Sequence, residues 1–209
     1  MGQRHQVMLV LPKKYYNENN PNNEDESIVA IHHQWLWGSR AVQLLSEFLD
    51  FVQKMNKGVT YPSVEWLPYH LSHYAYAQEI LATSYSISKQ NGYFHRTHGL
   101  NYVHPDTFDN NDGVTVIDLR QKIPKYCFFA IHDFEGKKSA KNFFPYSAKE
   151  YTSFYVESTE FNSVQILTSS ELKGILNLAK KQDKKTKKEE ERREKLKKID
   201  FNTILKKGD

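Results

Sequence analysis

The chain has 209 residues, one cysteine, and 29 Lys+Arg against 25 Asp+Glu for a net charge of +4; this length suits one domain with a sizeable core plus an appendage, and is short for two full domains. No apolar run approaches the roughly 18 residues that a membrane helix needs, and the opening residues lack the basic-then-apolar pattern of a signal peptide, which speaks against a membrane span and against export. The excess positive charge is local: residues 179–209 hold 13 basic and 7 acidic groups, the rest of the chain 16 and 18, so the body is near neutral and the high pI belongs to the tail.

Residues 6–11 are apolar, short and stopped by Pro12, and read as a strand. Residues 13–26, dense in Asn, Asp and Glu around Pro21, read as an exposed loop. Residues 27–33 read as a second strand, with Ile28, Ala30 and His32 on one face and Val29, Ile31 and His33 on the other. From Ser39 the period lengthens, and Val42, Leu45, Leu49, Val52 and Met55 predict an amphipathic helix ending at Gly58. A second central helix is predicted over 69–90, closed by Gly92, and residues 93–112 read as an irregular loop.

Asp112-Gly113 signals a turn into a predicted antiparallel pair, residues 114–119 and 126–132. The second of these holds Cys127, whose apolar setting makes it a core side chain and not a nucleophile. As the sole thiol it permits no intrachain disulfide, which fits a reducing compartment and predicts a cytoplasmic location. Ser147 and Glu150 fit a capping box for a short helix running to about residue 157. Residues 164–167 read as the last strand. Thr168 and Glu171 fit a second capping box, with Leu167 and Leu172 placed as its hydrophobic staple.

Leu172, Ile175, Leu176 and Ala179 can dock the final helix, but residues 180–195 contain no apolar side chain. Pairs such as Glu189/Arg193 and Glu191/Lys195, each contributing about 0.2–0.5 kcal/mol, can keep such a helix formed in solvent. It is expected to project from the body and to end in a small apolar tip of Ile199, Phe201, Ile204 and Leu205. The predicted whole is one α+β domain over 1–178, with a mixed or largely antiparallel sheet of about five strands covered by the two central helices, followed by a charged helical tail over 179–209.

Two polar strings are the one candidate site. Arg4-His5-Gln6 opens the first strand, and His32-His33-Gln34-Trp35 ends the second. If the strands are neighbours, the strings meet at one end of the sheet. One reading is a pocket with His5 and His32 or His33 as general acid and base, Arg4 holding an anion, and Gln6, Gln34 and Trp35 lining it. The other, which we prefer, is a buried polar network with Trp35 and Trp37 as packing anchors, because no carboxylate stands near either string. His95, His98, His104 and Asp106 are the most metal-like density in the chain, yet their spacing matches no zinc module. The phosphate-binding GxGxxG and Walker A patterns, the GxSxG elbow and HExxH are all absent.

The opening Met1-Gly2-x-Arg4-His5-Gln6 with the later His32-His33-Gln34-Trp35 resembles a family of uncharacterised proteins from fungi and bacteriophages. The resemblance covers about the first forty residues and the strand region after Asp112-Gly113. It carries no established activity and so implies no catalytic residue; together with an Asn-, Lys-, Tyr- and Ile-rich composition it implies a phage or viral source. The functional expectation is a non-enzymatic interaction protein without a cofactor, engaging a protein partner or a second copy through the tail and Phe201, Ile204 and Leu205. A small histidine hydrolase or nuclease at Arg4, His5, His32 and His33 is the first alternative, and nucleic-acid binding through the basic tail the second.

Overall fold

The computed structural model describes residues 4–11, 27–34, 36–56, 97–100, 102–107, 110–121, 123–129, 144–159, 161 and 165–205. Strand β1 (Arg4–Leu11) pairs antiparallel with β2 (Ser27–Gln34), which leads into α1 (Gly38–Asn56). Strand β3 (Thr97–Gly99) adds antiparallel to β2, and β4 (Val114–Asp118) lies parallel to β1 on its other side. Strand β5 (Lys125–Phe129) is antiparallel to β4. Helix α2 (Ala148–Ser153), strand β6 (Gln165–Ile166) parallel to β5, and helix α3 (Ser169–Leu205) complete the order. The sheet is mixed and reads β3-β2-β1-β4-β5-β6.

This is the α+β architecture expected, with six strands where five were predicted. The additional one, β3, lies in the stretch read as irregular loop; three residues are too few for a period-2 signal. The predicted second central helix, the loop over 13–26 and the cap at Gly58 lie outside the described residues.

The sheet is covered on both faces, which is why its inner strands read as nearly continuous apolar runs. On one face Val7, Leu9, Val29, Ile31, Ile117 and Phe128 pack against Val42, Leu45, Phe48 and Leu49 of α1 and Tyr151 of α2. On the other, Met8, Val10, Ile28, Ala30, Val116, Cys127 and Phe129 pack against Leu172, Ile175, Leu176 and Ala179 of α3. Cys127 is wholly buried, and burial pushes its thiol far above the ordinary range.

Both predicted capping boxes are formed. Ser147 Oγ accepts from the Glu150 N–H while Glu150 accepts from the Ser147 N–H. Thr168 and Glu171 do the same at the start of α3. The Lys125 ammonium bridges to Glu171 at 2.7 Å, and that ion pair holds the Glu171 carboxyl at about 2. Leu167 and Leu172, the staple pair, are both buried in the α3-side core.

Helix α2 stops at Ser153, short of the predicted 157, in a C-terminal turn where the Glu157 N–H bonds Thr152 O and the Val156 N–H bonds Ser153 O. That closure puts Val156 at φ 58°, a conformation usually given to glycine. It also delivers Glu157 to the start of α1, where its carboxylate accepts the Ser39 N–H. Helix α1 has no acidic residue in its own first turn, so Glu157 supplies the favourable charge there.

Candidate functional site

The two polar strings do meet. In the β1–β2 register Arg4 stands opposite Gln34, His5 opposite His33 and Gln6 opposite His32. The pleat then divides them: His5 and His33 follow Val7 and Ile31 onto the α1 face, whereas Gln6 and His32 follow Met8 and Ala30 onto the α3 face. All four are sealed, with His5, Gln6 and His33 at 0% exposure and His32 at 4%.

On the α1 face His5 is fastened at both ring nitrogens. Its Nδ1–H donates to the Asp112 carbonyl at 3.2 Å, and the Thr115 hydroxyl donates to Nε2 at 2.7 Å. The Tyr151 hydroxyl donates to the same Asp112 carbonyl at 2.7 Å, and Tyr155 reaches it at 3.2 Å. The Tyr151 ring stacks on Phe128 with centroids 4.4 Å apart and meets His5 edge-on. The Arg4 N–H donates to the Asn111 and Asp112 side chains at 2.8 and 2.9 Å. A carboxylate therefore does stand beside the first string, contrary to the sequence reading, because the parallel pairing of β1 with β4 brings the 112–113 turn against Arg4 and His5.

The electrostatics of this cluster favour fastening over proton transfer. Burial pulls the His5 pKa down to about 3, overriding the opposing pull of the Asp112 carbonyl, and His32 pushes in the same direction as burial. His5 is thus neutral at physiological pH with both nitrogens engaged. Burial also raises Tyr151 and Tyr155 well above the ordinary phenol range, which keeps both hydroxyls protonated.

On the α3 face Gln6 organises a loop. Its amide donates to Val103 O at 2.7 Å and its carbonyl accepts from Asn110 Nδ2 at 2.9 Å, while Asn110 also donates to Pro105 O. The other side of this loop is held by α3. The N–H groups of Val103 and His104 donate to the two carboxylate oxygens of Asp183 at 2.7 and 3.0 Å. Gln182 donates to Ile28 O at 2.8 Å and accepts from Ile28 N at 2.9 Å, so one carboxamide serves both backbone groups of a strand residue beyond the end of β3. Further along, the Tyr102 hydroxyl donates to Glu190 and is raised in pKa chiefly by that bond. The contacts of α3 with the body thus continue past Ala179 to Glu190, where the sequence suggested a free stalk.

No family model, curated protein or solved structure matches this chain.

His104 and Asp106 lie together, Nδ1 to Oδ2 3.6 Å, and Nδ1 also accepts the Asp106 N–H. Burial lowers the His104 pKa despite the raising influence of Asp106 and Asp183. His98 occupies the β3 register position opposite His32, while His95 and Trp35 lie outside the described residues. Among the described residues no three His, Cys, Asp or Glu side chains gather as a metal set. Phe201, Ile204 and Leu205 fall within α3, and Gln34 within β2, by their backbone positions.

The sequence reading missed Asp112, Thr115 and Tyr151, because their contacts with His5 span more than 100 residues and leave no local trace, and Tyr155, which joins them through Asp112. It also missed Gln182 and Asp183, for which a signal exists: Leu172, Leu176, Ala179 and Asp183 continue one three- and four-residue stripe.

Proposed function

We propose that this protein is a non-enzymatic interaction protein of the cytoplasm whose body presents α3 to a protein partner or to a second copy of the chain. The observation that carries this reading is the division of α3 into a docked and an exposed part. The helix runs unbroken for 37 residues, about 55 Å at 1.5 Å per residue. Every residue from 191 to 197 is exposed, including Leu196 at 53%. From Glu190 to its end the helix extends roughly another 22 Å, and Phe201, Ile204 and Leu205 there follow the spacing by which a helix fills a groove. The sealed, neutral His5 gives hydrolysis no comparable support.

The test compares the full chain, tagged at its N-terminus, with a chain ended after Lys197. The full chain should capture a partner or self-associate in light scattering, and the shortened one should lose this with an unchanged unfolding midpoint. Equal capture by both chains, or none by either, defeats the reading.

A further inference from the structure

We infer that α3 carries, on the side turned away from the body, a binding stripe for the phosphate backbone of a double-stranded nucleic acid. The stripe is separate from the apolar tip and does not depend on the reading given to that tip. Leu172, Leu176, Ala179, Asp183 and Glu190 mark the side of α3 that faces the body. Lys181, Lys184, Lys188, Arg192 and Lys195, spaced three, four, four and three residues apart, are all exposed. At about 100° per residue these five fall within roughly 40° of the direction opposite Ala179.

The fold sharpens this charge by hiding its counterpart. Asp183 is the sole acid between residues 180 and 188, and its carboxylate is 8% exposed and turned inward onto the Val103 and His104 amides. Glu190 likewise turns to Tyr102. Glu191 borders the stripe, about 60° from the outward direction, while Glu189 and Glu194 lie about 100° and 120° from it. A charge count along the sequence sees acids interleaved with bases, whereas the outer line of the folded helix between residues 181 and 195 carries only bases.

The chemistry of the stripe selects the partner. It contains no aromatic or aliphatic anchor, and lysine is depleted at the centres of protein interfaces, which are built on such anchors. Phosphate contacts need only positioned positive charge. A duplex offers one negative charge per roughly 1.7 Å of its axis, and the stripe is a straight line of about 21 Å. The lack of aromatic side chains argues against single strands held by base stacking.

The experiment is fluorescence anisotropy of a random-sequence DNA duplex of about two turns with the full chain, at salt from about 50 to 200 mM. Five neutralised phosphates predict a log–log salt slope near −4.5, a loss of about 500-fold over that range. The double substitution Lys184→Gln, Lys188→Gln should lower the magnitude of the slope by about 2 and weaken binding at least tenfold at low salt. Lys184→Arg, Lys188→Arg should restore both, and Lys13→Gln, Lys14→Gln, which removes the same charge elsewhere, should leave both unchanged. Circular dichroism checks that each variant keeps its helix. A flat salt dependence, or equal losses in the stripe and control variants, overturns the inference. Polyglutamate binding as tightly as the duplex overturns it in favour of an acidic protein. Ending the chain after Lys197 leaves the stripe intact, so failure of the tip and failure of the stripe are distinguishable.

Discussion

Asp183 is the residue whose loss should most plainly unfasten α3. Its two carboxylate oxygens accept the backbone N–H groups of Val103 and His104 at 2.7 and 3.0 Å in a site where it is 8% exposed. Hydrogen bonds to a charged group contribute about 1.5–3 kcal/mol each, and a buried donor left without an acceptor costs about 1–3 kcal/mol. Asp183→Ala orphans both donors and should destabilise by about 3 kcal/mol, or about 6–12 °C in unfolding temperature for a domain of this size. Asp183→Asn is the sharper test. The carboxamide keeps the shape but offers one acceptor and turns its NH2 toward the second N–H, so it should cost about 2 kcal/mol or more despite being isosteric. Thermal and urea unfolding of the three proteins, with hydrogen exchange at the Val103 and His104 amides, measure this directly. If the Asn variant lies within about 0.5 kcal/mol of the parent and both amides stay protected, the bidentate account is wrong.

Gln182→Ala should leave the Ile28 N–H and C=O unpaired and cost about 1–2 kcal/mol in urea unfolding, and Gln182→Glu should recover only part of this because it accepts from Ile28 N but cannot donate to Ile28 O. His5 is lowered from 6.5 to about 3 in the folded state, so the unfolded chain binds the extra proton between those values; its contribution is fully present above pH 6.5 and is lost as the pH falls toward 3, by several kcal/mol at most. A stability–pH curve that His5→Gln leaves as steep as the parent's through this window contradicts that assignment. Val156→Gly should raise stability by about 1 kcal/mol, since a β-branched residue at φ 58° occupies the position where a helix C-terminal turn favours glycine; an unchanged or lower urea midpoint refutes it.

The elements with local signals were legible in the chain. Ser147/Glu150 and Thr168/Glu171 declared two helix starts within a few residues of sequence, and the period change at Ser39 declared α1. The alternation of Ile28 to His33 placed each side chain on the correct face. The contents of the polar site were legible only in part, because they depend on topology. Arg4, His5 and Gln6 could be matched to Gln34, His33 and His32 once two adjacent strands were assumed. The arrival of Asp112 follows from β4 pairing parallel to β1, and Tyr151 from α2 closing over β5; neither is written near residue 5. Asp183 is a different case. Read as one more charge in the run over 180–195 that lacks apolar side chains, it belonged to a solvated helix; read as the next position after Leu172, Leu176 and Ala179, it belonged to the buried face. Its charge obscured a periodicity that was present.

That reassignment links the stability of the body to the character of its surface. A helix docked through apolar residues alone would leave its acids free to neutralise its bases. Helix α3 is docked through Leu172, Ile175, Leu176 and Ala179 and then through Gln182, Asp183 and Glu190, so two of its carboxylates are oriented by the body's N–H and O–H groups. The backbone donors of Val103 and His104 therefore serve two ends: they hold the helix against the sheet, and they hold a negative charge away from Lys181, Lys184 and Lys188. Gln6 extends the same linkage into the sheet, because it fixes the loop that presents those donors. A buried glutamine in β1 is thus linked, through one loop and one carboxylate, to the charge pattern on the far side of a helix.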